Sequence, residues 1–85
     1  MALVLGAKAG DAFFVGRRRL CITSIDGPDQ TTLERDDGAI YKVRPQHWTP
    51  VFHDVFIRTG PRATAGYVRL LFRAPQTVLI TRDTV

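Results

Sequence analysis

The sequence predicts a small all-β domain, folded as a sandwich or barrel. Three observations carry this. Apolar and polar residues alternate in short runs such as Ala39-Ile40-Tyr41-Lys42-Val43-Arg44, the pattern of a strand with one buried face. The runs are separated by turn-forming pieces such as Asp36-Asp37-Gly38 and Arg73-Ala74-Pro75-Gln76-Thr77, which are too short to hold a helix. The 5 prolines and 7 glycines interrupt the chain so often that no window of a dozen residues keeps a helical periodicity.

Taken in order, residues 2–7 form a first apolar strand, and Gly10-Asp11 turns the chain into Ala12-Phe13-Phe14-Val15. Gly16 followed by Arg17-Arg18-Arg19 reads as a second turn, with three like charges directed into solvent or at a partner. Leu20 to Ile25 is rich in residues that pack well on a pleated surface and reads as a third strand. It ends at the loop signal Asp26-Gly27-Pro28-Asp29. Thr31 to Arg35 and Ala39 to Arg44 then form a hairpin around Gly38, because glycine tolerates the positive φ that such turns demand.

Pro45 and Pro50 bracket Gln46-His47-Trp48-Thr49, which reads as irregular, and Val51 to Thr59 reads as one further strand. A long loop from Gly60 to Gly66 carries Arg62. Val68 to Phe72 and Val78 to Thr81 form a β-turn-β unit, in which Pro75 fixes its own φ and pushes Ala74 out of the helical region. Either residues 20–25 or residues 51–59 pair with Val68 to Phe72; the pattern admits both.

At 85 residues the chain is read as one domain, and a domain of that size buries only about 60 to 65% of its unfolded surface. Dimerisation is the cheapest source of further burial. The lone Cys21 has no partner for an internal disulfide, which suits a reducing, cytoplasmic setting. No apolar run is long enough to cross a bilayer, and the short apolar N-terminus has no basic residue ahead of it, so neither a membrane span nor a signal peptide is expected. The net charge of +4 is unevenly spread: residues 1–25 carry +3, residues 26–49 carry −2 and residues 50–85 carry +3. Such segregation points to an anionic partner at the two ends.

Catalysis finds little support. His47, His53 and Asp54 lack a spacing that assembles an acid/base set, and Cys21 lies in an apolar strand where a thiol is ordinarily inert filling. Two histidines six residues apart match no standard metal spacing, and phosphate-cradling glycine loops are absent. No enzyme activity, metal or cofactor is expected. Arginines beside apolar neighbours, at Arg69, Arg73 and Arg82, instead suit a phosphate-bearing partner.

At these residues a resemblance appears. Val68-Arg69-Leu70, Ala74-Pro75, Val78, Ile80 and Arg82 are similar to the VRxGxxAP and VxIxR segments of the carbon storage regulator (CsrA/RsmA) family. Leu3-Val4-Leu5, Lys8, Gly10-Asp11 and Val15-Gly16 resemble that family's LxLxRKxGExxxIG start. The two segments span roughly half of the chain. The resemblance implies one domain with a family-like core at residues 1–25 and 66–85 and an insertion at residues 26–65 that brings the extra hairpin and strand; the C-terminal helix usual in that family is expected to be missing here, since the sequence stops at Asp83-Thr84-Val85. It implies an intertwined homodimer in which the first strand of one subunit lies beside the last strand of the other. Their joint surface would grip single-stranded RNA containing GGA, in a messenger leader or small RNA, and so control translation or messenger stability.

Carried over position by position, the resemblance assigns RNA contact to Leu5, Lys8, Ala74, Pro75, Val78, Ile80, Thr81 and Arg82, with Arg82 at the family's principal RNA-binding arginine. Gly6 and Ala7 stand where the family has a polar residue and an arginine, which removes a phosphate-reaching guanidinium, and Leu71 replaces a frequent glycine. The insertion holds Tyr41, Trp48, Phe52 and Phe56 and begins net acidic; it either extends the sheet and steadies the dimer or recruits a protein. Two alternatives stand beside RNA binding. One is a retained scaffold that acts through protein partners, as an antagonist or phage-encoded modulator; the other is an unrelated β-barrel structural module.

Overall fold

A computed structural model describes residues 2–27, 30–60 and 66–83. The described residues form β-strands joined by turns, with no helix among them. The strands are β1 (Ala2–Ala7), β2 (Ala12–Val15), β3 (Arg18–Ile25), β4 (Thr31–Arg35), β5 (Ile40–Val43), β6 (Thr49–Phe52), β7 (Val55–Thr59), β8 (Val68–Arg73) and β9 (Ile80–Arg82). They make two antiparallel sheets, which we call sheet A, in the order β1-β8-β7-β6, and sheet B, in the order β5-β4-β3-β2-β9.

Alternation along the strands decides which side chains meet between the sheets. In β8, Val68, Leu70 and Phe72 are buried while Arg69 and Arg73 are exposed; in β7, Val55, Ile57 and Thr59 are buried while Phe56 and Arg58 are only partly covered. Sheet B contributes Phe13, Val15, Leu20, Ile22, Leu33 and Val43 to the same core. Phe13 and Phe72 meet edge to face across it, with ring centroids 5.8 Å apart, a contact worth about 0.5–1.5 kcal/mol beyond the area the rings bury.

The segment read as an insertion is built into both layers. Its β4 lies between β3 and β5, and its β7 lies between β8 and β6. Leu33, Val43, Val51, Val55 and Ile57 from it are all buried in the shared core. Strand β7 is also the neighbour of β8, with Ile57 opposite Phe72 and Thr59 opposite Leu70, which decides between the two partners left open by the sequence.

Several elements differ from the sequence reading. Val51 to Thr59 is not one strand: Phe52 pairs with Val55, and the chain reverses at His53-Asp54, where Asp54 has φ of 60°. Two successive polar residues break the alternation there, and aspartate tolerates the left-handed conformation. Gln46 to Thr49 is less irregular than expected, since Arg44 and His47 form an isolated bridge and Thr49 opens β6. Pro50 sits within that strand, which its missing N–H allows because β6 is the edge of sheet A.

Arg18 and Arg19 belong to β3, so the turn after β2 is only Gly16-Arg17, with Gly16 at φ of 63°. Val68 to Phe72 and Val78 to Thr81 do not pair with each other. Strand β8 pairs with β1 and β7, whereas β9 pairs with β2, so the piece containing Pro75 is a corner between the sheets. The same holds for β1 and β2, which are joined by the Lys8–Asp11 turn and lie in different layers. The Arg62 loop, Pro28-Asp29 and the last two residues lie outside the described residues.

Candidate nucleic-acid interface

Arginine is the residue type to follow, because its forked guanidinium suits both carboxylates and phosphates. In sheet B the forks of Arg18, Arg19 and Arg35 are already occupied, whereas Arg82 on β9 has no ion pair among the described residues. Arg18 donates to both oxygens of Asp36, with Nη2 2.6 Å from Oδ1 and Nε 2.8 Å from Oδ2. Arg35 binds the Asp37 carboxylate and also donates from Nη1 to the Val51 carbonyl at 2.8 Å, tying β4 of sheet B to β6 of sheet A. Both guanidiniums lie over the ring of Phe52, at 5.2 and 5.4 Å from its centre. Arg19 pairs with Asp83 at 2.8 Å and donates to the sulfur of Cys21.

These contacts hold the carboxylates in their charged form. The hydrogen bond from Arg18 takes the Asp36 carboxyl down to about 2, and the bond from Arg35 holds Asp37 well below the usual carboxylate range. Asp26 is pushed down as well, because Thr32, Ser24 and Gln30 all donate to it. The triple arginine therefore leaves only Arg17 without an ion pair among the described residues.

The outer face of sheet A is different. Its four strands contain no aspartate or glutamate. Register places Arg73 beside Phe56, Arg58 beside Leu71 and Val4, and Arg69 beside Gly6 on the face opposite the core. Arg58, Arg69 and Arg73 make no ion pair among the described residues. Arg58 is stacked on Trp48, with its guanidinium 4.9 Å from the ring centre. Tyr67 lies across Gly6, so closely that a Cβ there would collide with the phenol oxygen. Gly6 is thus the seat of an aromatic ring, which only a residue without a side chain allows.

Beside this face the β5–β6 connection and the ends of β7 and β8 enclose a cleft of about 860 Å³. Arg44, Pro45, Gln46 and His47 line one side, and Arg58, Thr59, Gly60 and Leu71 the other. No carboxylate is among these lining residues. Arg58 Nε and the Thr59 hydroxyl are buried with no hydrogen-bond partner among the described residues.

The sequence-predicted RNA-contacting residues do not form one side-chain cluster. Leu5, Ala74, Val78 and Ile80 are partly buried and pack against the core. Lys8, Pro75, Thr81 and Arg82 are exposed. Arg82 stands opposite Phe13, 5.8 Å from its ring centre, and Asp83 N–H donates to the Ala12 carbonyl. The end of β9 therefore runs beside the residue that follows the Lys8–Asp11 turn. Within the chain, the first strand pairs with β8 and the last with β2, on separate sheets.

Arg58, Trp48 and the seat at Gly6 are functional candidates that the sequence pattern does not reveal. Alternation in Val55-Phe56-Ile57-Arg58-Thr59 carries the signal that Arg58 faces away from the core, but no local pattern places it against Trp48. His53 is 95% exposed and bonds Asp54 at the tip of the β6–β7 turn, away from His47, and no cluster of three potential metal ligands occurs among the described residues. Nor does any helix there reach the length and apolarity needed to cross a membrane. Comparison with protein-family models, with curated proteins and with solved structures returned no match to this chain.

Proposed function

We propose that the protein binds single-stranded RNA as a post-transcriptional regulator, with phosphates lying along the outer face of sheet A and bases stacking on its aromatic residues. The observation that carries this reading is the charge of that face: Arg58, Arg69 and Arg73 stand among Trp48, Phe56 and Tyr67 with no carboxylate in the four strands. A flat sheet with unpaired cations and aromatic rings is what sequence-tolerant binding of a single strand needs, since each base offers a face to stack and each nucleotide a charge to neutralise.

The terminal motifs add specificity to this proposal. Lys8 and Arg82 are exposed and outside any ion pair among the described residues. Each belongs to, or leaves, a strand at the edge of its sheet, where Val4 is 54% and Leu79, just before β9, 70% exposed. Two copies associating through these edges would bring Lys8 of one chain and Arg82 of its partner onto one surface, as the resemblance to the carbon storage regulator family implies. A GGA-containing loop is the ligand to offer such a surface.

The test is fluorescence anisotropy with a GGA hairpin RNA and a scrambled control at several salt concentrations. Both RNAs should bind at low salt, the GGA hairpin more tightly, and Arg82→Ala should remove that preference. Absence of binding to either RNA at low salt discards the proposal; equal binding of both, unaffected by Arg82→Ala, confines it to sequence-independent recognition on sheet A.

A further inference from the structure

We infer that the cleft between the β5–β6 connection and the ends of β7 and β8 is a binding site for a single phosphate-bearing nucleotide unit. The inference deepens the RNA reading and rests on it, since the unit could be free or could be part of a bound strand. The cleft's volume, about 860 Å³, falls in the range of pockets that enclose small organic ligands, and is far larger than a bare inorganic anion requires. Its lining combines both kinds of surface that a nucleotide presents. Arg44, His47, Arg58 and Gln46 supply polar and cationic groups, while Pro45 and Leu71 supply apolar surface.

Arg58 is the residue that points to phosphate. Its guanidinium is stacked on Trp48 and weakly anchored by a 3.4 Å bond from Nη1 to the Pro45 carbonyl. Its Nε is buried and donates to nothing among the described residues. A buried charged donor without an acceptor is unfavourable, and a guanidinium held flat against an aromatic ring is restricted in the directions from which its terminal nitrogens can meet an oxyanion. Gly60, which also lines the cleft, lies close against β8, where a Cβ would meet Arg69 Cβ at 3.3 Å.

The lining holds no acidic residue that would repel the second negative charge of a phosphomonoester. The test is a ¹⁵N–¹H NMR titration of the full chain with guanosine and adenosine monophosphates, with the two nucleosides, and with a short RNA carrying or lacking a 5′-phosphate.

Saturable shifts at Gln46, His47 and Gly60 are expected with the monophosphates, at least ten-fold weaker with the nucleosides. Arg58→Gln and the exposed-site variant Arg44→Gln should each weaken the monophosphate by several-fold. Arg44→Gln guards against a folding defect at the half-buried Arg58, and unchanged spectra elsewhere verify it. Arg69→Gln should leave monophosphate binding unchanged while weakening RNA. A response to 5′-phosphorylated RNA alone assigns the unit to the strand end, and a response to both RNAs assigns it to an internal nucleotide. RNA binding without any cleft response to the monophosphates or to either RNA overturns the inference and leaves the RNA reading standing. Monophosphate binding without RNA binding overturns the RNA reading and leaves the cleft as a mononucleotide site. Nucleosides binding as well as monophosphates contradicts a phosphate site.

Discussion

The arginines of sheet B and those on the outer face of sheet A are the same residue type on the same kind of strand, yet they do different work. Arg18, Arg19 and Arg35 each hold a carboxylate, and two of them also flank Phe52 at the end of the sandwich. Arg58, Arg69 and Arg73 have no carboxylate partner among the described residues. A net charge of +4 says nothing about this division. What separates a structural cation from one available to a ligand is where the register of the strands puts the acidic residues, and here it puts none on the strands of sheet A.

The largest effect is expected where the two sheets meet. Phe72 is fully buried and touches Phe13 across the core, so Phe72→Ala should lower stability by about 3–5 kcal/mol in urea unfolding. That change would disrupt both arginine sets together. A destabilisation below about 1 kcal/mol would mean that the two layers do not pack through these rings.

Next come substitutions that separate the sets. Arg69→Gln with Arg73→Gln should reduce the slope of log affinity for single-stranded RNA against log salt by about 0.7 for each phosphate that is no longer neutralised, with thermal stability nearly unchanged because both side chains are exposed. Arg19→Gln on sheet B should leave that slope where it was. An equal reduction from both would erase the distinction between the sets.

The smallest effect is a pH dependence confined to sheet B. The Asp36 carboxyl titrates at about 2 in the folded protein, below its value in an unfolded chain near 3.9. Its pairing with Arg18 therefore contributes stability above that unfolded value, and the contribution disappears as pH falls from about 4 toward 2. Asp37 and Asp26 shift in the same direction. Melting temperature should be flat from neutrality to about pH 5 and then decline, and Asp36→Asn should lower the plateau and soften the decline. A wild-type profile matched by Asp36→Asn at every pH would show that the pair contributes nothing.

Local patterns in the sequence carried the all-β class and most of the strands. The alternation in Val68 to Arg73 already placed Arg69 and Arg73 opposite the core, and Gly38 marked the hairpin that forms. What local pattern could not carry was partnership. Strand β1 lies against β8 from the far end of the chain, and Arg19 meets Asp83 across 64 positions; neither is encoded in neighbouring residues. For the same reason, consecutive strands read as paired when their connections are corners between sheets. The segment at 26–65 looks like an addition because its local signals are self-contained, although its strands supply interior positions of both sheets.

The central claim is that unpaired arginines on sheet A, and not the carboxylate-bound ones of sheet B, meet the nucleic acid. The most direct test follows arginine Nε–Hε resonances by NMR as single-stranded RNA is added at low salt. Arg58, Arg69 and Arg73 should shift in a saturable, salt-sensitive way while Arg18 and Arg35 stay in place. Shifts confined to Arg18, Arg19 and Arg35, or no shift at any arginine, would contradict the account.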